Sequence, residues 1–191
     1  MVPKLWSDTI AQHRHAVREA ILDTTWALVT EHGLLSVTMS QIAEEAGVGR
    51  ATLYKYFPDV EAILTAWHER QTAEHLTTLT ELANRDGEPS DRLREVLKAY
   101  ALICHHRGGH GGDLVALLHK APHMSGIQHR LVDLLGDLLR QATVQGHVRE
   151  DIPSGELARY CMHALGAAGI LPSKAAVHRL VNVTLTGLSP T

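Results

Sequence analysis

Arg50, Thr52, Tyr54, Lys55 and Tyr56 fall within one short stretch, GVGRATLYKYF, residues 47–57. The side-chain types suit contact with a polyanion. An arginine fork donates two parallel bonds to guanine O6 and N7. Lysine supplies a point charge for a phosphate, and phenols reach phosphate oxygens or stack on sugars. Thr52 offers both a hydroxyl and a methyl. Gly49 lets a backbone approach closely, and its N–H stands at a helix start, where anions bind.

Other residues could do different chemistry. Of 14 histidines, eleven lie beyond residue 60. CHHRGGHGG brings Cys104, His105, His106 and His110 together, while His119, His123, Cys161 and His163 stand elsewhere. Zinc, nickel and copper use such ligands. Yet no pair has zinc-finger spacing, and glycines interrupt any helix between His106 and His110. The expectation is solvated or core-satisfied histidines, with no metal and no cofactor. A metal-sensing regulator stays open as the alternative. Cys104 beside a histidine is a formal nucleophile pair, but neighbours on a helix point about 100° apart. With no G-x-S-x-G, H-E-x-x-H or phosphate-cradling loop in the chain, no catalytic residue is assigned and no enzyme is expected. A helical ligand-binding or enzymatic body carrying a vestigial hairpin is the competing reading.

These residues need helices to hold them. Val17, Ile21, Leu22, Thr25, Leu28 and Val29 recur at the spacing of one helix face, and Gly33 ends that helix. Thr38 followed by Gln41 has capping-box spacing, so a helix starts near Met39. Ile42, Ala43 and Ala46 form its short apolar face before Gly47. A third helix begins near Gly49 or Arg50 and ends at Phe57, since Pro58 cannot continue it. Leu53 and Phe57, four apart, anchor its inner face. Asp59 caps a long helix that reads to NRDGEPS. Further helices are expected at 90–106, 112–120, 125–146, 154–168 and 173–188. No alternating strand pattern and no repeat appears. The fold is all-α, with a helix-turn-helix domain over 1–57 and a larger helical domain over 58–191.

Composition narrows the setting. The chain is 45% hydrophobic and 20% charged, enough apolar residues to build a core. Two cysteines are too few for a disulfide framework. With no secretory pattern and no apolar run of membrane length, a cytoplasmic protein with no membrane partner is expected. The net charge is −3, and residues 1–60 carry five Lys and Arg against seven Asp and Glu. Contact with DNA must therefore rest on local arrangement rather than bulk charge.

Residues 14–66 resemble the DNA-binding domain of the TetR family of transcriptional regulators. The motifs that carry the resemblance are AILDTTWALVTEHG, VTMSQIAEEAGVGRATLYKYF and PDVEAIL. It implies a homodimeric repressor that leaves a palindromic double-stranded operator when a small molecule enters the C-terminal body. By the same resemblance, Thr38 and Ser40 touch backbone or bases at the start of the second helix. Arg50, Ala51 and Thr52 face bases, beginning beside Gly49. Tyr54, Lys55 and Tyr56 face the DNA backbone. Two positions depart from the family's habit. Gly49 stands where Ser is frequent, and Val60 where a phosphate-contacting Lys is frequent.

The body is expected to hold an apolar effector cavity among its central helices. Tyr100, Ile103, Cys104, Leu118, His119, Met124, Ile127, Met162 and His163 are its candidate lining. The last two helices are rich in small residues, and the resemblance implies that they pair with a second copy. Leu157, Tyr160, Cys161, Ala164, Leu165, Val177, Leu180, Val181, Thr184 and Leu188 are the interface residues this implies.

Overall fold

A computed structural model describes residues 4–108 and 124–190. The expected helix at 112–120 lies outside the described residues. Among those described, the chain forms eight α-helices and no strand. It packs as two units, Met1–Gln71 and Thr72–Thr191.

The first unit is built by local signals. Helix α1 (Lys4–His32) buries Ile21, Leu22, Thr25 and Val29. The Thr25 hydroxyl donates back to Ile21 O at 2.7 Å, which satisfies its polar atom inside the core. After a 3-10 turn at Leu34–Ser36, α2 (Met39–Glu45) opens with a complete capping box. Gln41 N donates to the Thr38 hydroxyl at 3.3 Å, and Thr38 N donates to Gln41 Oε1 at 2.9 Å. Gly47 then adopts φ 65°, a left-handed conformation that costs a residue with a Cβ but not glycine. It turns the chain into α3 (Arg50–Tyr56). Phe57 is extended, Pro58 follows, and Asp59 Oδ1 accepts from Ala62 N at 2.8 Å to open α4 (Val60–Ala83).

Packing carries this unit to Gln71, past the boundary expected at Phe57. Ile63, Leu64 and Ala66 of α4 are buried in it. Trp67 stacks on Trp26 with ring centroids 3.7 Å apart and planes 10° apart. Arg70 reaches both Glu19 and Asp23 of α1. Arg18 lies over the Phe57 ring, 5.6 Å from its centroid.

The second unit continues α4 and adds α5 (Pro89–Gly108), α6 (Met124–Val144), α7 (Ser154–Gly166) and α8 (Lys174–Leu188), with a 3-10 turn at Ala167–Ile170. One contiguous core joins them. It contains Leu76 and Leu79 of α4, Leu93 and Leu97 of α5, Leu135 and Leu139 of α6, Leu157 and Leu165 of α7, and Val177 and Leu188 of α8. Full burial of each such side chain is worth about 1.5–3 kcal/mol. Arg92 joins three segments by donating to Ala83 O at 2.9 Å and to Gln141 Oε1 at 2.8 Å. Gly108 ends α5 against the 3-10 turn. A Cβ there would stand 1.8 Å from Gly169 O, so only glycine allows this approach. Among the described residues no helix is long and apolar enough to cross a membrane.

Candidate nucleic-acid interface

The α2–turn–α3 hairpin presents one face inward and another to solvent. Leu53 is fully buried and Phe57 nearly so, which fixes the roll of α3 about its axis. Arg50, Ala51, Thr52, Tyr54 and Lys55 are then exposed, Tyr54 at 57%. Tyr56 is half-buried. Gly49 caps α3 in an extended conformation without a side-chain hydrogen bond, so its carbonyl accepts from Thr52 N and Leu53 N at 2.9 Å. At the start of α2, Thr38 is exposed and Ser40 half-buried. The Thr38 hydroxyl is engaged in the cap and also donates to Gln41 Oε1 at 2.8 Å. Among the described residues no salt bridge holds Arg50 or Lys55 to an acidic side chain. Both cations project from a rigid helix into water, where a phosphate or base edge can reach them.

The expected effector lining is only partly assembled. A cleft of about 550 Å³ runs between α4 and α6, lined by Ala73, Leu76, Thr77, Thr80, Glu81, Asn84, Ile127 and Arg130. Of the residues expected from sequence, Ile127 borders it. Tyr100, Ile103, Cys104 and Met162 are partly buried and packed against the body's core. His163 is exposed on α7 and is not among the residues lining this cleft. Its neighbours Cys161 and Leu165 face the core, which turns position 163 outward. Leu118 and His119 lie outside the described residues, as does the Met124 side chain.

The expected interface set divides by burial. Leu157, Cys161 and Leu165 on α7, and Val177, Val181, Thr184 and Leu188 on α8, are buried inside the body. All but Thr184 belong to this chain's own hydrophobic core. Tyr160, Ala164 and Leu180 keep surface. Two further apolar side chains on this part of the chain are exposed, Val183 at 66% and Ile170 at 89%. Both helices carry apolar residues on two faces, and residue type alone does not tell them apart. Spacing offered a signal, since Leu180 and Val183 share one stripe and Tyr160 and Ala164 another.

Among the described residues the alternative chemistries find no assembled site. Cys104 is hydrogen-bonded with Tyr100, and burial pushes its thiol above the ordinary range. Burial likewise drives Tyr100 up, and Cys161 is pushed up to about 12. Such thiols stay protonated and unreactive near neutral pH. His105 Nδ1 is 3.1 Å from Ala168 O, so that ring is committed to the backbone. Among the described residues no three His, Cys, Asp or Glu converge as a metal site. His110, His119 and His123 lie outside them.

Comparison with known proteins matches this geometry. Residues 21–66 match the family described as bacterial regulatory proteins, tetR family. Residues 94–190, half of the chain, match the SbtR-like C-terminal domain of transcriptional regulators. An uncharacterized HTH-type transcriptional regulator of Mycobacterium tuberculosis is 34% identical over 87 residues, 44% of this chain and 41% of that protein. The chain thus spans about two-fifths of the length of this relative. An uncharacterized HTH-type transcriptional regulator of Mycobacterium bovis is 30% identical over 148 residues, covering 72% of this chain and 68% of its own. The crystal structure of a TetR/AcrR-family regulator from Thermobifida fusca superposes with a TM-score of 0.78 at 18% identity, covering 89% of this chain and 97% of that one. With both halves matched and the hairpin built as described, the chain belongs to the TetR family of DNA-binding transcriptional regulators.

Proposed function

We propose that this chain acts in the cytoplasm as a homodimeric repressor that reads a near-palindromic operator and is released by a small, largely apolar molecule. The observation that carries the reading is the fixed roll of α3. Leu53 and Phe57 lock one face inward while Arg50, Thr52, Tyr54 and Lys55 point to solvent. Arg50 and Thr52, at the helix's N-terminal end, would meet base edges in the major groove. Tyr54, Lys55 and the Gly49 N–H would hold phosphates. Thr38 and Ser40 would stand beside the backbone at the start of α2. Val60 brings no cation to the start of α4, so the sequence-independent part of the affinity rests on fewer charges.

Release is proposed to run through α4, a continuous helix from Val60 to Ala83 that passes from one unit into the other. The cleft beside it, with Leu76 and Ile127 in its wall, supports a bound effector there. Dimerisation is assigned to the outer stripe of α7 and α8, with Tyr160, Ala164, Leu180 and Val183. Two recognition helices must meet major grooves about 34 Å apart, so a small tilt of α4 would cost contacts.

The test begins with selection of binding sequences from random duplex DNA, followed by fluorescence anisotropy. Arg50→Ala should weaken the selected site by about 1–3 kcal/mol and relax preference at one base pair per half-site. Lys55→Ala should weaken all sequences about equally and flatten the salt dependence. Wild-type affinity and preference in both variants would remove α3 as the reading helix.

A further inference from the structure

Arg107 stands in the last turn of α5, and Gly108 wedged against Gly169 fixes where that turn ends. Its guanidinium is half-buried and crosses to α4, where Nη2 donates to the buried Thr72 hydroxyl at 2.8 Å. No acidic side chain pairs with it among the described residues. Three positions further along α4, His75 has a buried Nδ1 with no hydrogen-bond partner. Tyr100 and Cys104, on α5, complete the cluster and hydrogen-bond to each other. The group therefore holds a cation, a histidine and a phenol on two facing helices, with no anion among them.

Burying a cation without a counter-charge is costly. Loss of hydration is the main pressure on Arg107, pulling it below the usual arginine range despite the proximity of Cys104 and Tyr100. Burial likewise lowers His75, with the charges of Arg107 and His106 adding to the effect. His75 thus stands beside positive charge, and Arg107 is a cation that has lost part of its hydration with no carboxylate among the described residues to replace it. An anion placed here would offset both effects, and the guanidinium's remaining N–H donors fit a planar two-oxygen acceptor.

We propose that Arg107 anchors a carboxylate-type anionic group on the effector, with His75 and Tyr100 beside it. This rests on the reading of residues 72–191 as an effector-binding body, and adds that the largely apolar ligand has one charged end, held between α4 and α5 by residues outside the lining of the α4–α6 cleft. Thr72 gives the site a route to the DNA. A carboxylate that takes the guanidinium competes with the Thr72 hydroxyl, so it loosens a bond to α4 at the position where the two units divide.

The test uses the full chain and two matched probe pairs, dodecanoate with dodecanol and benzoate with benzyl alcohol. Calorimetry gives affinity, and anisotropy gives release of the selected operator. At least one carboxylate is expected to bind wild type tenfold or more tightly than its alcohol. Arg107→Gln should weaken that carboxylate by about 10–100-fold, the scale of a charge-assisted hydrogen bond, and leave the alcohol unchanged. Arg107→Lys, which keeps the charge but loses the fork, should recover part of the loss. Circular dichroism and operator affinity of both variants verify folding. Equal binding of each carboxylate and its alcohol, no binding of either carboxylate, or full carboxylate affinity in Arg107→Gln would overturn the proposal. If operator binding persists through any of these results, the regulator reading stands and the anion site alone fails. A chain that binds no selected DNA would fail the regulator reading instead.

Discussion

Arg50 and Arg107 are the same side chain in two opposite settings. Arg50 is in water on the outer face of α3, and Arg107 is half-buried between α5 and α4. Neither is paired with a carboxylate among the described residues. For Arg50 the arrangement costs almost nothing, because water solvates the charge. For Arg107 partial burial carries a cost, which the bond to the Thr72 hydroxyl offsets only in part. The difference teaches where the two units keep their chemistry. The first unit exposes its cations on a short outer helix, whereas the second holds one half-buried between two helices.

The sharpest way to break this comparison is to separate folding from recognition in the first unit. Leu53→Ala removes the buried anchor of α3 and should cost about 2–5 kcal/mol in urea unfolding. Arg50→Ala should stay within roughly 0.5 kcal/mol of wild type in the same measurement, as exposed substitutions do. A large stability loss in Arg50→Ala would mean that Arg50 holds the fold.

A smaller effect tests the second unit. Arg107→Met replaces a half-buried cation with an apolar chain of similar length. Unfolding should show the variant unchanged or more stable by on the order of 1 kcal/mol. Strong destabilisation would show that Arg107 is there to hold α4 and α5 together.

The smallest effect concerns pH. His75 is held below its usual value of 6.5, so the unfolded chain takes up its proton first as pH falls. Stability from this group is full above pH 6.5 and is lost as pH drops below that value. His75→Gln should flatten the fall in melting temperature between about pH 7 and pH 5.5 relative to wild type. An unchanged profile would mean that burial does not restrain His75.

Much of the first unit was legible because its signals are local. The pairing of Thr38 with Gln41, the turn at Gly47 and the cap at Asp59 each depend on residues within one or two turns. The body was legible only as helices. Cys161 and Tyr160 are adjacent and both suit a helix interface, but which of them faces inward depends on the packing of α5 and α6 against α7. The same ambiguity hid Val183. Arg107 gave no signal, since a cation in the last turn of a helix before glycine reads as a match to the helix dipole. The partnership of Arg70 with Glu19 and Asp23 was also invisible, because the partners lie far apart in sequence.

The stacked indoles of Trp26 and Trp67 offer an optical handle. All three tryptophans, Trp6, Trp26 and Trp67, fall within the first unit, so the body is dark to selective indole excitation. Two nearly parallel chromophores at van der Waals distance couple electronically and should give a paired band of opposite signs in the ultraviolet dichroism spectrum. That signature reports whether α4 still lies against α1. It lets the DNA-reading unit be followed, without any label, while a colourless ligand is added to the rest of the chain.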